Sequence, residues 1–233
     1  MSTSGCALIV GAGKGLSASL ARLFAREGMR VVLAARNTEK LAGLVSETGA
    51  VAIAADASIP ADVERLFAKV DAQWGAPDLV VYNANYRSRG AITGLDPVEV
   101  QRTLQVSAYA GFLVGQASAK LMLPRGTGSI FFTGASASIK GFANSSAFAM
   151  GKFALRGLAQ SMARELGPQG IHVAHFIIDG GIRNSPSDAR GADRGHDGLL
   201  LPEEIAKSYL HLHQQQRSAW SWEIDLRPWA EKF

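Results

Sequence analysis

The chain has 233 residues, of which 47% are hydrophobic and 19% are charged, and its formal net charge is +4. This composition excludes a disordered chain, which needs low hydrophobicity and high net charge, and the length fits one large domain. The positive charges are scattered and form no Lys/Arg run, so the sequence predicts binding neither to nucleic acid nor to a membrane surface.

Strand-length apolar runs alternate along the chain with stretches of helical periodicity. The runs are apolar throughout, which is typical of a parallel sheet that is covered on both faces. The pattern predicts a doubly wound α/β fold with about seven strands, in a single domain over residues 1–233. The predicted strands are Cys6–Val10, Arg30–Ala35, 50–55, Leu79–Tyr82, 129–132, Ile171–Ile178 and 222–226, and the clearest helices are Leu16–Arg26, 61–74 and Pro202–His213.

The first predicted strand leads into a glycine-rich turn, and an amphipathic helix follows. Gly11, Gly13 and Gly15 allow backbone N–H groups to approach an anion closely. The helix that begins at Leu16 adds the partial positive charge of its N-terminus. Strand, turn and helix in this order are typical of a Rossmann-type phosphate-binding unit, so we expect a dinucleotide there. A purely structural turn is the alternative.

Two cations stand where a site for NAD carries an acid. The second predicted strand ends at Ala35 and Arg36 follows, while Lys14 lies inside the glycine turn. An acid accepts from the ribose hydroxyls, whereas cations suit a 2′-phosphate, so the sequence predicts NADP(H) in preference to NAD(H). Asp56 and Ala57 follow the third strand and are expected at the adenine ring. The alternative for Asp56 is a cap on the next helix.

These features resemble the short-chain dehydrogenase/reductase family over nearly the whole chain, from Cys6 to about Pro228. VGAGKGLS is similar to the family's TGxxxGxG turn, with Val10 and Ser17 in place of the family's Thr and last Gly. The segment GSIFFTGASASIKG resembles the family's fifth strand. FAMGKFALRGLAQSMARELGPQGIHV resembles its active-site helix and sixth strand.

The segment YNAN is similar to the family's NNAG motif, so Asn83 and Ala84 match it and Asn85 does not. The resemblance implies that Asn83 and Ala84 contact a nicotinamide cofactor. It also implies hydride transfer to or from a small-molecule substrate, and a homodimer or homotetramer.

The resemblance implies four catalytic positions, and three of them differ here. In the family a Tyr passes the proton, a Lys tunes that Tyr and contacts the nicotinamide ribose, a Ser holds the substrate oxygen and an Asn anchors a water relay. Lys152 matches the Lys, whereas Phe148 stands at the Tyr position. Ala135 occupies the Ser position and Ser107 the Asn position. Because phenylalanine has no hydroxyl proton to donate, the rate of ordinary ketone reduction by the family's mechanism is expected to be greatly reduced.

Other residues are candidates for the missing roles. Ser136 replaces the family's Ser if the loop carries a one-residue shift, and Ser138 is a weaker substitute. Tyr82, at the end of the fourth strand, is the best-placed other phenol, with core packing as its alternative role. Asp179 is a candidate proton carrier at the mouth of the cleft, with turn formation before two glycines as its alternative role.

Three functions stay open from the sequence. The first is an NADP(H)-dependent oxidoreductase with an altered proton path, acting for example on an iminium or an activated double bond. The second is a non-catalytic binding or scaffold protein, favoured by the replaced catalytic residues and by Ser17, whose side chain is expected to crowd the pyrophosphate. The third is a lyase or isomerase that uses Asp179 or Tyr82.

The remaining features set the expected context. The single cysteine, Cys6, excludes an internal disulfide and is expected in the core of a protein from a reducing compartment. No targeting signal or membrane-length apolar run is found, so we predict a soluble, cytoplasmic protein. The spacing of the histidines predicts no metal site. The polar segment 184–199 is predicted to be a mobile loop, either beside the substrate or without a role.

Overall fold

The computed structural model of the chain describes residues 5–183, 188–190 and 197–231. Seven strands form one sheet in the order β3-β2-β1-β4-β5-β6-β7, and all six pairings are parallel. The predicted seven-stranded parallel sheet is therefore confirmed. The strands are β1 (Cys6–Val10), β2 (Arg30–Ala35), β3 (Val51–Ala54), β4 (Leu79–Tyr82), β5 (Gly128–Thr133), β6 (Ile171–Ile178) and β7 (Glu223–Leu226).

Helices cover both faces of the sheet, as expected for buried parallel strands. Along β1, Leu8 belongs to the apolar cluster that also contains Val114 and Leu155, whereas Ile9 belongs to the cluster that contains Phe24 and Tyr209. Successive strand residues point to opposite faces, and each face is closed by its own helices. The helices are α1 (Leu16–Arg26), α2 (Ala42–Thr48), α3 (Pro60–Trp74), α4 (Pro97–Leu104), α5 (Ala110–Met122), α6 (Ser146–Leu166) and α7 (Pro202–His213).

The strand order reverses between β1 and β4, which opens a crevice at the carboxyl ends of these strands. Asn83 N–H donates to the Val10 carbonyl across this point at 2.9 Å, so the two strand ends lie side by side. This topology brings the glycine turn after β1 next to the YNAN segment after β4. Ligands of open α/β sheets bind at such a position.

Within the described ranges, no helix combines the length and the apolarity that a membrane crossing requires. Most of the segment 184–199, predicted to be a mobile loop, lies outside the described residues. Of that segment the structure describes residues 188–190 and 197–199.

Candidate active site

A cavity of about 340 Å³ opens at the carboxyl ends of β1 to β4. The structure brings most of the predicted cofactor residues together around it. A second cavity adjoins it and contains the remaining three, Gly15, Leu16 and Lys152. The predicted residues that line the first cavity are Gly11, Gly13, Lys14, Arg36, Asp56, Ala57, Asn83 and Ala84.

The glycine turn has the geometry of an anion cradle. Gly11 has a φ of 85°, and a Cβ at this position would lie 2.4 Å from the Ala84 nitrogen, so only glycine fits without displacing the strand ends. Gly15 caps α1 at a φ of 83°, and no side chain caps the first turn of the helix. The amides that begin with Leu16 are therefore open to a ligand anion.

Ser17 replaces the family's last glycine and joins the turn to β4. Its hydroxyl donates to the Gly11 carbonyl at 3.1 Å and accepts from the Asn83 side-chain amide at 2.7 Å. The Ser17 residue is buried. Since the hydroxyl is engaged by protein groups on both sides, its placement gives no support to the expectation that Ser17 crowds the pyrophosphate.

The described residues that line the first cavity include two positively charged side chains and one carboxylate. Lys14 and Arg36 are exposed, and neither forms an ion pair with any residue that the structure describes. The Asp56 carboxylate accepts from the Ser58 N–H at 2.9 Å and the Ser58 hydroxyl at 2.7 Å. Asp56 is not the cap of α3, because the N-cap residue of that helix is Ile59. The carboxylate of Asp56 is thus held at the cavity by its own turn.

The second cavity has a volume of about 330 Å³ and contains the family's catalytic positions. It is lined by Phe148, Ala135 and Lys152, which come from α6 and the loop after β5. Lys14 and Asn83 line both cavities, so the two form one continuous cleft. The structure thus brings Phe148, Ala135 and Lys152, three of the four predicted catalytic positions, to one cavity.

Lys152 is the buried cation of this cleft. The residue is 2% exposed, and its ammonium donates to the Thr133 carbonyl at 2.7 Å. Burial, and to a smaller extent the charge of Arg87, lowers the pKa of Lys152 from 10.5 to about 7. With this pKa, Lys152 changes between its charged and neutral forms near neutral pH.

Ser107, at the family's Asn position, holds a loop. It lies in a π-helical turn, Gln105–Tyr109, between α4 and α5. Its hydroxyl donates to the Tyr86 carbonyl at 3.2 Å and accepts from the Tyr86 N–H at 3.4 Å. Ser107 is fully buried and lines neither cavity, so it positions the segment after β4.

Four candidates for the missing roles, Tyr82, Ser136, Ser138 and Asp179, do not line the cleft. The prediction for Tyr82 is wrong, because this residue is fully buried and its hydroxyl donates to the Val106 carbonyl. Burial also raises the pKa of Tyr82 far above the ordinary range of a phenol. Ala135 lines the cavity and Ser136 does not, so the structure gives no support to the one-residue shift that Ser136 requires. Ser138 is buried against His175.

Asp179 is the fourth of these candidates. Its carboxylate is almost fully buried and faces Lys140 at 3.8 Å and Arg227 at 3.5 Å. The cleft is lined instead by the following residues, Gly180 and Gly181. Asp179 is therefore a structural charge at the end of β6, and the prediction that it carries a proton in the cleft is wrong.

Arg87 is a residue of the cleft that sequence reasoning missed. Its guanidinium carbon lies 4.0 Å from the centre of the Phe148 ring, which is the geometry of a cation–π contact. No short motif includes Arg87, and it follows the YNAN segment in a stretch without periodicity. The contact exists only because the fold brings the loop after β4 against α6.

A hydrogen-bonded chain that the sequence did not reveal supports the loop that carries Ala135. The Glu223 carboxylate lies 3.1 Å from His175 Nδ1 and accepts from Arg156 at 2.6 Å. Because a carboxylate only accepts, Nδ1 carries the proton of His175 and Nε2 accepts from the Ser138 hydroxyl at 3.3 Å. The same hydroxyl accepts from the Ala135 N–H at 3.1 Å. Burial lowers the pKa of His175 to about 4, which keeps this ring neutral at physiological pH.

In the described part of the chain, no three His, Cys, Asp or Glu side chains come together as metal ligands. His172 stacks on Trp220 with ring centres 4.6 Å apart, and it lies on the opposite sheet face from His175. Cys6 is buried in β1, and burial raises its pKa to about 11. These groups serve packing.

Comparisons with known proteins identify the family of the chain. Residues 5–189 match the family described as short chain dehydrogenase. Sepiapterin reductase from Chlorobaculum tepidum is 31% identical, over 95% of each chain. Trans-4-hydroxycyclohexanecarboxylate dehydrogenase from Sinomonas cyclohexanicum is 32% identical, over 91% of this chain and 86% of the relative.

Two solved structures extend the likeness to three dimensions. A short-chain dehydrogenase from Rhodopseudomonas palustris is 36% identical with a TM-score of 0.83, over 96% of this chain and 98% of that one. A metagenomic short-chain oxidoreductase in complex with NADP is 27% identical with a TM-score of 0.83, over 98% of this chain and 99% of that one. These comparisons account for the seven-stranded sheet: the chain belongs to the short-chain dehydrogenase family of oxidoreductases.

Proposed function

We propose that this chain is an oxidoreductase that uses NADP(H) in preference to NAD(H). The observation that carries the proposal is the pair Lys14 and Arg36, exposed at the first cavity without a carboxylate partner among the described residues. The uncapped first turn of α1 and the missing Cβ of Gly11 suit the backbone to a pyrophosphate. The metagenomic relative in complex with NADP supports the same cofactor.

The proton path is the part of the mechanism that this chain changes. A bound nicotinamide supplies or accepts the hydride. Phe148 keeps a ring at the family's Tyr position but has no hydroxyl. Among the groups that line the described part of the cleft, Lys152 is the one whose pKa lies near 7, and we assign it the proton. Substrates with an iminium or an activated double bond suit such a site, because their reduction needs no strong acid.

The cofactor preference is tested by calorimetric titration with NADPH and, separately, with NADH. We expect micromolar binding of NADPH and at least tenfold weaker binding of NADH, since a charge-assisted contact to the 2′-phosphate contributes about 1.5–3 kcal/mol. Arg36→Met should remove most of the difference. Lys40→Met, which deletes an exposed lysine outside the cleft, should leave it unchanged. Equal affinity of the wild type for both cofactors would contradict the assignment of Arg36.

Restoring the family's groups tests the altered proton path. Phe148→Tyr with Ala135→Ser should raise the reduction of simple ketones by about 10²–10⁴-fold, which is the usual contribution of a positioned acid. Ser107→Asn is added last, because Ser107 is fully buried against Gly151 and a larger side chain strains this contact. The same variant with Lys152→Met is the matched control. No gain in a variant that is folded and binds NADPH would show that more than the acid is missing.

The other two functions receive different support. A non-catalytic binding protein is favoured by Phe148 and Ala135, which leave the cleft without the family's acid. It becomes the better explanation if neither NADPH nor NADH binds. A lyase or isomerase loses its support, because Asp179 and Tyr82 both point away from the cleft.

The homodimer or homotetramer stays a prediction. Four large apolar side chains on or beside α5 and α6 are exposed, namely Tyr109, Phe112, Met150 and Phe153. Exposed apolar residues on two adjacent helices support self-association through this face.

A further inference from the structure

We propose that the substrate carries an anionic group, a carboxylate or a phosphate, which Arg87 and Lys152 bind beside the ring of Phe148. This inference rests on the proposed oxidoreductase function and names the class of substrate for the same cleft. It follows from three observations: the placement of Arg87, the surroundings of Lys152 and the charges that line the cavity.

Arg87 is held at the cavity with its donors available. The Phe148 ring is buried and supports the guanidinium from one face, at 4.0 Å from the ring centre. Stacking uses the face of a guanidinium and leaves the N–H groups at its edge. The structure shows no hydrogen bond or ion pair from this guanidinium to any described residue. These donors match the two oxygens of a carboxylate or phosphate.

Lys152 presents a second cation to the same space. Its ammonium makes one hydrogen bond, to the Thr133 carbonyl, out of three that an ammonium can donate. Arg87 and Lys152 repel each other, and Arg89 repels Arg87 in turn. Lys152 is buried and Arg87 is exposed. A buried cation without an acid is costly, and an anion held between Lys152 and Arg87 lowers that cost.

The other charges of the cavity do not supply this anion. No Asp or Glu occurs among the described residues that line it, although the chain has 20 acidic residues. Arg190 also lines the cavity, but its guanidinium is paired with Asp188 at 2.6 Å. Lys14 is shared with the cofactor cavity, and the proposed function assigns it to the phosphates of NADP(H). Arg87 and Lys152 are thus the cations that the substrate meets.

The volume and the replaced tyrosine agree with this arrangement. The cavity of about 330 Å³ also has to hold the nicotinamide end of the cofactor, so the space that remains suits a small substrate. Phenylalanine at position 148 gives Arg87 an apolar face, so the residue that removes the family's proton donor supports a cation instead. A bound anion also favours the charged form of Lys152. Substrate binding should therefore shift Lys152 towards its protonated form.

The test uses three probes of the same shape: benzoate, phenyl phosphate and the neutral benzamide. Each is titrated by calorimetry into the protein saturated with NADPH. We expect one of the two anions to bind at least tenfold tighter than benzamide, and the tighter of the two identifies the carboxylate or the phosphate. Arg87→Met should abolish the difference between anion and amide. Arg89→Met removes a neighbouring arginine that does not line the cavity and should retain most of it.

The outcomes separate this inference from the function on which it rests. If NADPH binds but the anions bind no better than benzamide, the anion site is wrong and the oxidoreductase proposal stands. An anion preference that survives Arg87→Met overturns the assignment of Arg87. If NADPH does not bind, the proposed function fails, and the same titrations on the protein alone decide the anion site by their dependence on Arg87.

Discussion

Replacing Lys152 with methionine is expected to change the pH dependence of stability more than any other single substitution in the cleft. The pKa of Lys152 is about 7 in the folded protein and 10.5 in an ordinary environment. Between these values the unfolded chain holds a proton that the folded chain lacks, so the free energy of unfolding of the wild type rises with pH there. Below pH 7 both states are protonated, and the full cost of the buried charge is present.

The difference between wild type and variant isolates this group. Relative to Lys152→Met, the wild type should gain about 1.4 kcal/mol per pH unit above pH 7, which is the slope for one proton. Urea denaturation at several pH values between about 6 and 9 measures it. Lys40→Met deletes an exposed lysine and controls for the loss of charge. A difference that does not vary with pH would show that Lys152 stays protonated in the fold, and it would remove this group as the proton carrier.

Gly134→Ala should destabilise the protein by about 3 kcal/mol, at the upper end of what overpacking usually costs. A Cβ at Gly134 would lie 2.2 Å from His175 Nε2 and 2.9 Å from the Phe176 carbonyl. Neither neighbour is a flexible side-chain end, because the ring of His175 is fully buried and its nitrogens bond Ser138 and Glu223. The clash is therefore relieved only by moving the end of β5.

The same substitution should disturb the cleft as well as the core. The hydrogen bond from Ala135 N–H to Ser138 and the bond from Ser138 to His175 hold the loop after β5. Gly141→Ala is the matched control, because a Cβ at Gly141 meets nothing within 4 Å. Chemical denaturation gives the loss of stability, and titration with NADPH shows whether the cleft changes with it. Equal stability of the two variants would mean that the His175 ring moves away from the added Cβ at little cost in free energy, which would contradict this prediction.

Much of the site was predictable because it depends on short stretches of chain. Gly11, Lys14 and Arg36 lie in or next to strand–helix connections, and parallel strands bring such connections to one edge. Phe148 and Lys152 are one turn apart on a helix, so their common face follows from sequence alone. The candidates that failed were those whose side-chain direction depends on packing. Tyr82 and Asp179 end buried strands, and their partners Val106 and Arg227 come from other parts of the chain.

The sequence by itself determined the seven-stranded α/β architecture, the position of the glycine turn and the absence of the family's proton donor, since periodicity, glycine and residue identity are local properties. Only the tertiary structure decided which groups surround the position of the missing proton donor. The stacking of Arg87 on Phe148, the desolvation of Lys152 and the chain from Ser138 to Glu223 join segments that are far apart in sequence. Burial and the distance between charges arise only when the chain is folded, and these two quantities set both the pKa of Lys152 and the cationic character of the cleft.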